Sequence, residues 1–459
     1  MPAQPVATRP AVDPNATALA APPPGSGLDP VLGDPGILFV GKGVQFLRGG
    51  PQVHTELHRR FGEVSWTRMF GIPVVCVSGP GAAREVLVNK DKAFVSAWRD
   101  IIGPWFDGGP LVRDGAEHLR HRRLLQPAYR PEALHGYLPD MVAQAREIVA
   151  EWPAAQALPL LPRLRELSAA MTSRTLLGRG YDARARRVVA DVETCIRAEG
   201  WPLRLPVPGT PWAAAHSARH RLLEYFTDAA RRARIEPGSG FLSVLCRAES
   251  ADGDRFSDTE IAEHMIFTLI AAHDTSVAAA TSAAYFLGAH PGWQERARAE
   301  SLARGEADLT AHTAAGLRVL DRVVRESMRI VPPSPNYARR AVADTAIGNR
   351  FVPAGTLVVV NSWATHMIAE HWPDPGRFDP DRFLDPAGSG PRSAWLPFGA
   401  GAHKCAGMDF GMLKTLVILD AMLRAQDWRV PDGYRPRWRF TTLPVPADGL
   451  PVRLRRRVD

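Results

Sequence analysis

Ten residues near the C-terminal end, Phe398 to Gly407 (FGAGAHKCAG), constrain this chain more than any other stretch. They present one cysteine, Cys405, among glycines that let a backbone bend sharply and pass close to a ligand. A cysteine read alone is a small buried hydrophobe, but this setting argues for a ligating sulfur. Gly399 and Gly401 permit positive φ, Phe398 can shield a sulfur from water, and Gly407 keeps bulk from its far side. The apolar spacing of Met408, Met412, Leu413, Leu416 and Leu419 predicts a helix that starts at the cysteine and ends near Arg424. A sulfur at a helix N-terminus sits among unsatisfied N–H groups, which favours thiolate over thiol. The stretch is not a dinucleotide loop, because Lys404 stands where a third glycine is needed and no strand-like run precedes it.

Phe398, Gly401, His403, Cys405 and Gly407 together resemble the cysteine loop of the cytochrome P-450 superfamily, the haem-thiolate monooxygenases. The resemblance implies a mainly α fold with a minor β region, built as a helical bundle around haem b with a small β-rich subdomain. It makes Cys405 the axial ligand of the haem iron, held without covalent attachment of the porphyrin. Other segments follow the family's order across residues 60–455. Glu326 and Arg329 stand three apart on a predicted helix, Asp321 to Ile330, and so share a face. Arg382, in Phe378 to Phe383 (FDPDRF), completes the Glu-Arg-Arg triad that the family places behind the haem, with Asp381 where a Glu is usual. Buried, that triad would be a structural lock rather than a source of chemistry.

The predicted helix Ile261 to Leu287 contains Ala271-Ala272-His273-Asp274-Thr275, which resembles the family's oxygen-activating helix. There Ala271 would face the iron, while Asp274 and Thr275 organise the water that delivers protons as dioxygen is reduced. A threonine hydroxyl can also take the backbone carbonyl one turn back and ease the helix open. Ala272 stands where the family more often has Gly. His273 is read as a helix-surface residue, with membership of the proton relay as the alternative. The haem propionates need cationic partners, and the resemblance supplies His118 and Arg122 on a helix over Ala116 to Leu125, Arg339, and His403. Arg340 competes with Arg339.

Composition narrows the rest. The 459 residues are 45% hydrophobic with a formal charge of +8, and the basic residues are dispersed with no recognised nucleic-acid motif. Four widely spaced cysteines, without a Cys-x-x-Cys pair, indicate a reducing compartment such as the cytoplasm and no zinc site. No apolar run is long enough to span a membrane. Residues 1–30, rich in Ala and Pro, are expected to lack fixed structure, and residues 31–459 to form one haem domain. Gly33 to Gly36 resembles the hinge that follows the anchor of membrane-bound members, with Ile37, Leu38 and Phe39 expected to pack on the body.

The activity implied is that of a soluble, bacterial-type, monomeric monooxygenase that inserts one atom of O2 into a lipophilic small molecule by hydroxylation or epoxidation. With no flavin or nicotinamide domain in the chain, electrons from NAD(P)H would arrive through a separate ferredoxin or flavodoxin and its reductase. Arg120, Arg123, Lys404 and Lys414 are the expected positive cluster for such an acidic partner. Substrate contacts are expected from residues 91–113, with Trp98, Trp105 and Phe106, from residues 201–212, Phe267, Ala271, the Asn336 region and residues 443–448. The alternatives are a peroxide-driven peroxygenase and a non-catalytic haem-binding or gas-sensing protein.

Overall fold

The computed structural model describes residues 13, 16–102, 105, 107–178, 180–199, 204–305, 309, 316–384, 392–440 and 443–457. The chain divides into two compact units, Met1–Trp98 with Arg325–Cys405 and Arg439–Pro444, and Arg99–Val324 with Ala406–Trp438 and Val445–Asp459.

The first unit is built on a seven-stranded sheet. Its order is Thr17–Ala18, Leu32–Gly33, Val64–Met69, Ile72–Val77, Leu357–Asn361, Asn336–Ala341 and Phe94–Ser96. The hairpin turns through Phe70 and Gly71, both at positive φ, which matches the twist of its strands and sets Met69 opposite Ile72. Val75, Val77, Val358 and Val360 bury one sheet face against Ala83, Val86 and Leu87 of the helix Pro80–Val88. That helix runs as its sequence predicts, with Pro80 at its first turn and Asn89 in the left-handed conformation at its end.

Two expectations change in this unit. Within the segment expected to lack fixed structure, Thr17–Ala18 pairs with Leu32–Gly33, and Asp29–Pro30 pairs with Arg350–Val352. Backbone pairing and the Trp66 indole N–H, which donates to the Thr17 carbonyl at 2.8 Å, hold a stretch that composition alone left free; residues 1–12, 14 and 15 lie outside the described residues. Ile37, Leu38 and Phe39 do not pack on the body. They are 65–79% exposed, because their turn, closed by Ile37 and Gly41, carries them outward with Phe39 at positive φ.

The second unit is helical, with Gly115–Leu125, Pro131–Ala150, Leu160–Leu177, Ala183–Glu199, Pro211–Ile235, Asp258–Ala289 and Met408–Ala425 as its main members. The long helix Asp258–Ala289 packs against Leu160–Leu177, Pro211–Ile235 and Met408–Ala425. It starts at a capping box, in which Ser257 and Glu260 exchange side-chain and backbone bonds. Its buried Ala278, Ala279, Ala280, Ala283 and Ala284 let neighbours approach closely. A three-stranded sheet, Gln426–Arg429, Pro451–Arg456 and Ala155–Pro159, docks on it through Trp428, whose indole N–H donates to the Ala284 carbonyl at 2.9 Å. Among the described residues no helix is long and apolar enough to cross a membrane.

Candidate functional site

In the first unit the loop before Cys405 is closed by its own backbone. The Gly399 N–H donates to Leu396 at 3.2 Å, Lys404 to Gly401 at 3.1 Å, and Cys405 to the Phe398 carbonyl at 2.9 Å. Because the cysteine N–H folds back into the loop, the helix expected to start at Cys405 begins three residues later, at Met408 with Gly407 as its cap. Gly401 has φ +69°, and a Cβ there would lie 2.0 Å from the Leu87 carbonyl oxygen, so a close backbone approach excludes any larger residue. Cys405 is the one exposed cysteine of the four; Cys76, Cys195 and Cys246 are buried. Burial pushes the Cys76 thiol up to about 12, away from ligation.

The triad assembles behind this loop. Glu326 and Arg329 are fully buried and joined twice, Nε to Oε2 at 2.7 Å and Nη2 to Oε1 at 2.8 Å. Arg382 reaches Glu326 Oε1 at 3.3 Å, and the Asp379 N–H donates to the same oxygen at 3.0 Å. Arg329 Nη1 also donates to the carbonyls of His366 at 3.0 Å and Pro375 at 2.8 Å. Asp381, in place of the usual Glu, is not needed for these bonds.

His366 couples the triad to the cysteine loop and was not anticipated. Its Nδ1 donates to the Arg329 carbonyl at 2.9 Å, so its Nε2 accepts from the Leu396 N–H at 2.9 Å. Both bonds require the neutral ring, and burial pushes its pKa down to about 3. Tyr337, also unanticipated, donates its hydroxyl to the Leu396 carbonyl at 2.6 Å and lies under Gly399. Trp395 stacks edge-on to Phe398 with centroids 5.8 Å apart. Tyr337 and Arg339 are two apart on the strand Asn336–Ala341 and so share a face. Arg339 is 3% exposed, whereas Arg340 points the other way and donates to the Gly355 carbonyl at 2.8 Å. Strand alternation thus puts Arg339, not Arg340, on the face turned to the cysteine loop.

In the second unit the long helix is exposed at Ala271 and half-buried at Ala272, Asp274 and Thr275, between buried Leu269 and Ile270 on one side and Ser276 to Ala280 on the other. The Thr275 hydroxyl donates to the Ala271 carbonyl at 2.6 Å, one turn back. Burial raises the Asp274 pKa above the usual carboxylate value, against the opposing pull of Arg165 and Lys414. His273 is not a surface residue: it is 3% exposed, burial pushes it down to about 3, and its Nε2 lies 3.8 Å from Asp274. Helix packing on that side places it inside, where the apolar sequence around it gave no sign.

His118 is buried on Gly115–Leu125, with Arg122 half-buried four residues on. Arg120 leaves that face for Asp254 and Glu260, at 2.7 and 2.5 Å, and His121 is buried against His264 at 2.8 Å. The expected positive cluster is likewise dispersed. Lys404 and Arg123 are exposed, but Arg120 is in its ion pairs and Lys414 is fully buried. The signal for Lys414 was present: the apolar run Leu416 to Leu419 just beyond it pointed inward. His403 is half-buried, and Gly407 packs against the Tyr129 ring. Of the expected substrate contacts, Gly109 abuts Phe267, while Trp105 and Trp212 are buried on each other with centroids 4.7 Å apart. Phe106 and residues 201–203 lie outside the described residues.

Residues 31–447 match the model of the family Cytochrome P450. The chain belongs to the cytochrome P450 family. This cytochrome P450 is 39% identical over 449 residues to cytochrome P450 136 of Mycobacterium tuberculosis, covering 96% of this chain and 91% of that one. It is 29% identical to abscisic acid 8'-hydroxylase 3 of Oryza sativa subsp. indica, with 94% and 86% covered. The solved structure of retinoic acid-bound cyanobacterial CYP120A1 superposes with a TM-score of 0.81 at 27% identity, covering 93% and 99%. The mainly helical P450 fold and monooxygenase family membership expected from the cysteine loop therefore stand, and the family implies haem. Taken unit by unit, the residues suit that group: the first has an accessible thiol on a preformed loop with a buried guanidinium on the strand face beside it, and the second has small, accessible Ala271 on its long helix.

Proposed function

We propose that this cytochrome P450 uses O2 to hydroxylate or epoxidise a lipophilic small molecule, with electrons from a separate ferredoxin or flavodoxin and its reductase, fed by NAD(P)H. Haem b would supply the redox chemistry for dioxygen, for which a thiolate ligand favours O–O cleavage. Cys405 is the iron ligand, and Phe398, Gly401 and Gly407 give its sulfur a closed, shielded setting. His118, Arg122, Arg339 and His403 are the residues that would hold the haem propionates. Ala271, small and exposed, would leave room for the haem.

The observation that carries the reading is the pairing of Thr275 with Asp274 in one accessible turn. The Thr275 hydrogen is engaged by the Ala271 carbonyl, so its oxygen is turned to accept from water. Asp274, raised by burial, holds its proton at higher pH than a surface carboxylate and can pass it to that water. A peroxide-driven enzyme or a gas sensor has no need of this pair. Thr275→Ala should cut product formed per NADH several-fold and release hydrogen peroxide; unchanged coupling removes the assigned role.

The relatives' names support an isoprenoid carboxylic acid as the first substrate to try, since abscisic and retinoic acids are both of that class. A substrate-induced shift of the Soret band on titration with such acids, and its absence with short fatty acids, tests this. Exposed Lys404 and Arg123 each suit an acidic redox partner. Four cysteines outside any disulfide suit a reducing compartment such as the cytoplasm.

A further inference from the structure

Lys414 is the least expected group in the helical unit. Its side chain is fully buried on Met408–Ala425, at the start of a run, Lys414 to Leu423, in which every residue is buried. Its Nζ donates to Ser168 Oγ at 2.8 Å, Thr172 Oγ1 at 2.6 Å and the Ala272 carbonyl at 3.2 Å. The hydrogen-bond pattern around it suits the ammonium. The Ser168 hydroxyl hydrogen is committed to the His273 carbonyl at 3.3 Å, and that of Thr172 to the Ser168 carbonyl at 2.7 Å. Each hydroxyl is thereby turned to accept from Lys414, and the ammonium, with three N–H donors, serves all three acceptors at once.

Three successive carbonyls of the long helix thus receive side-chain donors: Ala271 from Thr275, Ala272 from Lys414 and His273 from Ser168. Each is a carbonyl that a regular helix offers to the N–H four residues on, so the side chains compete with the helix for its own acceptors along one turn. Asp274 follows directly. Its charge and that of Lys414 act on each other, lowering the Asp274 pKa and raising that of Lys414, while burial drives the two oppositely, Lys414 down to about 7. The other groups acting on Asp274 are Arg165 on Leu160–Leu177 and Glu193 on Ala183–Glu199. His273 is buried and neutral beside them, with both ring nitrogens unpartnered.

We propose that Lys414 is a positioning residue for proton delivery, its buried ammonium holding the Ala271–Thr275 turn in shape and setting the readiness with which Asp274 gives and takes a proton. This rests on the assignment of Asp274 to proton delivery. Removing the charge raises the Asp274 pKa further, because the desolvation that raises it stays and the cation that lowers it goes.

The test uses holoenzyme carrying Lys414→Met, Lys414→Gln or Lys414→Arg. Two readouts are followed across the neutral range: product formed per NADH, and the infrared carboxyl band absent from Asp274→Asn. Met and Gln should shift both titrations upward by about one pH unit and raise the peroxide share several-fold, while Arg stays close to wild type. Gln keeps a donor in the pocket, so it remains informative if Met fails to fold. Titrations unmoved in the folded neutral variants overturn the proposal. The reduced carbon monoxide spectrum of the same preparations separates the two levels: a thiolate-type band with unmoved titrations defeats the role of Lys414 alone, and no such band in wild type defeats both.

Discussion

Glu326→Gln should be among the most damaging isosteric changes available in this chain, and the structure gives its size. Oε1 accepts from Arg329 Nη2 at 2.8 Å and the Asp379 N–H at 3.0 Å, with Arg382 Nε at 3.3 Å, and Oε2 accepts from Arg329 Nε at 2.7 Å. Glutamine keeps one acceptor oxygen and presents an NH2 where the other stood, so a donor meets a guanidinium donor. Two charge-assisted bonds at about 1.5–3 kcal/mol each are lost or weakened. Arg329, 0% exposed, is left a buried cation without its counter-charge, which by itself costs about 3–5 kcal/mol. The two routes agree on about 3–5 kcal/mol. With a urea slope of about 3 kcal/mol per molar, the unfolding midpoint should fall by roughly 1 to 1.7 M. Arg382→Ala is the internal comparison. Its contact is longer and its side chain is 10% exposed, so its cost should be smaller, about 1–3 kcal/mol. A Glu326→Gln protein as stable as wild type, or less affected than Arg382→Ala, would refute the reading of the triad as a buried lock.

Three further outcomes follow from the same geometry. His366→Leu leaves the Arg329 carbonyl and the Leu396 N–H without their shared partner; the cost should be about 2–4 kcal/mol, read by urea unfolding, with weakened haem retention. His54 and His121 are pushed down to about 4, and His273 and His366 to about 3, by burial. Lowered histidine pKa values give stability that is full above the unfolded value near 6.5 and is lost as pH falls from there toward the folded values. By pH 5 each should cost about 2 kcal/mol, and His366→Gln should flatten the slope of unfolding free energy against pH. Gly401→Ala places a methyl against the Leu87 carbonyl at positive φ and should abolish haem incorporation, whereas Gly411→Ala, where nothing lies within 4 Å, should be neutral by the same absorbance assay.

The sequence carried the parts of the site whose physics is local. Gly399 and Gly401 announce a bend because few other residues take positive φ, and the spacing of Glu326 and Arg329 puts them on one helix face. What it could not carry were bonds between distant segments. His366 meets the Arg329 and Leu396 backbones, and backbone partners leave no residue-type signature. Lys414 was placed in a positive surface cluster on the strength of the resemblance, although the apolar run Leu416 to Leu419 just beyond it pointed inward. His273 was read as a surface residue because Asp274 already supplies the acid a relay needs, and Ile37 to Phe39 were expected inside for their hydrophobicity when the turn that holds them faces out.

The account depends most on Cys405 as a thiolate ligand. The direct measurement is the Soret spectrum of the purified protein, reduced and exposed to carbon monoxide, beside Cys405→Ala. A strongly red-shifted carbonyl band in the wild type, lost in the variant, is the expected result. A band like that of histidine-ligated haem, or one unchanged by the substitution, would contradict it.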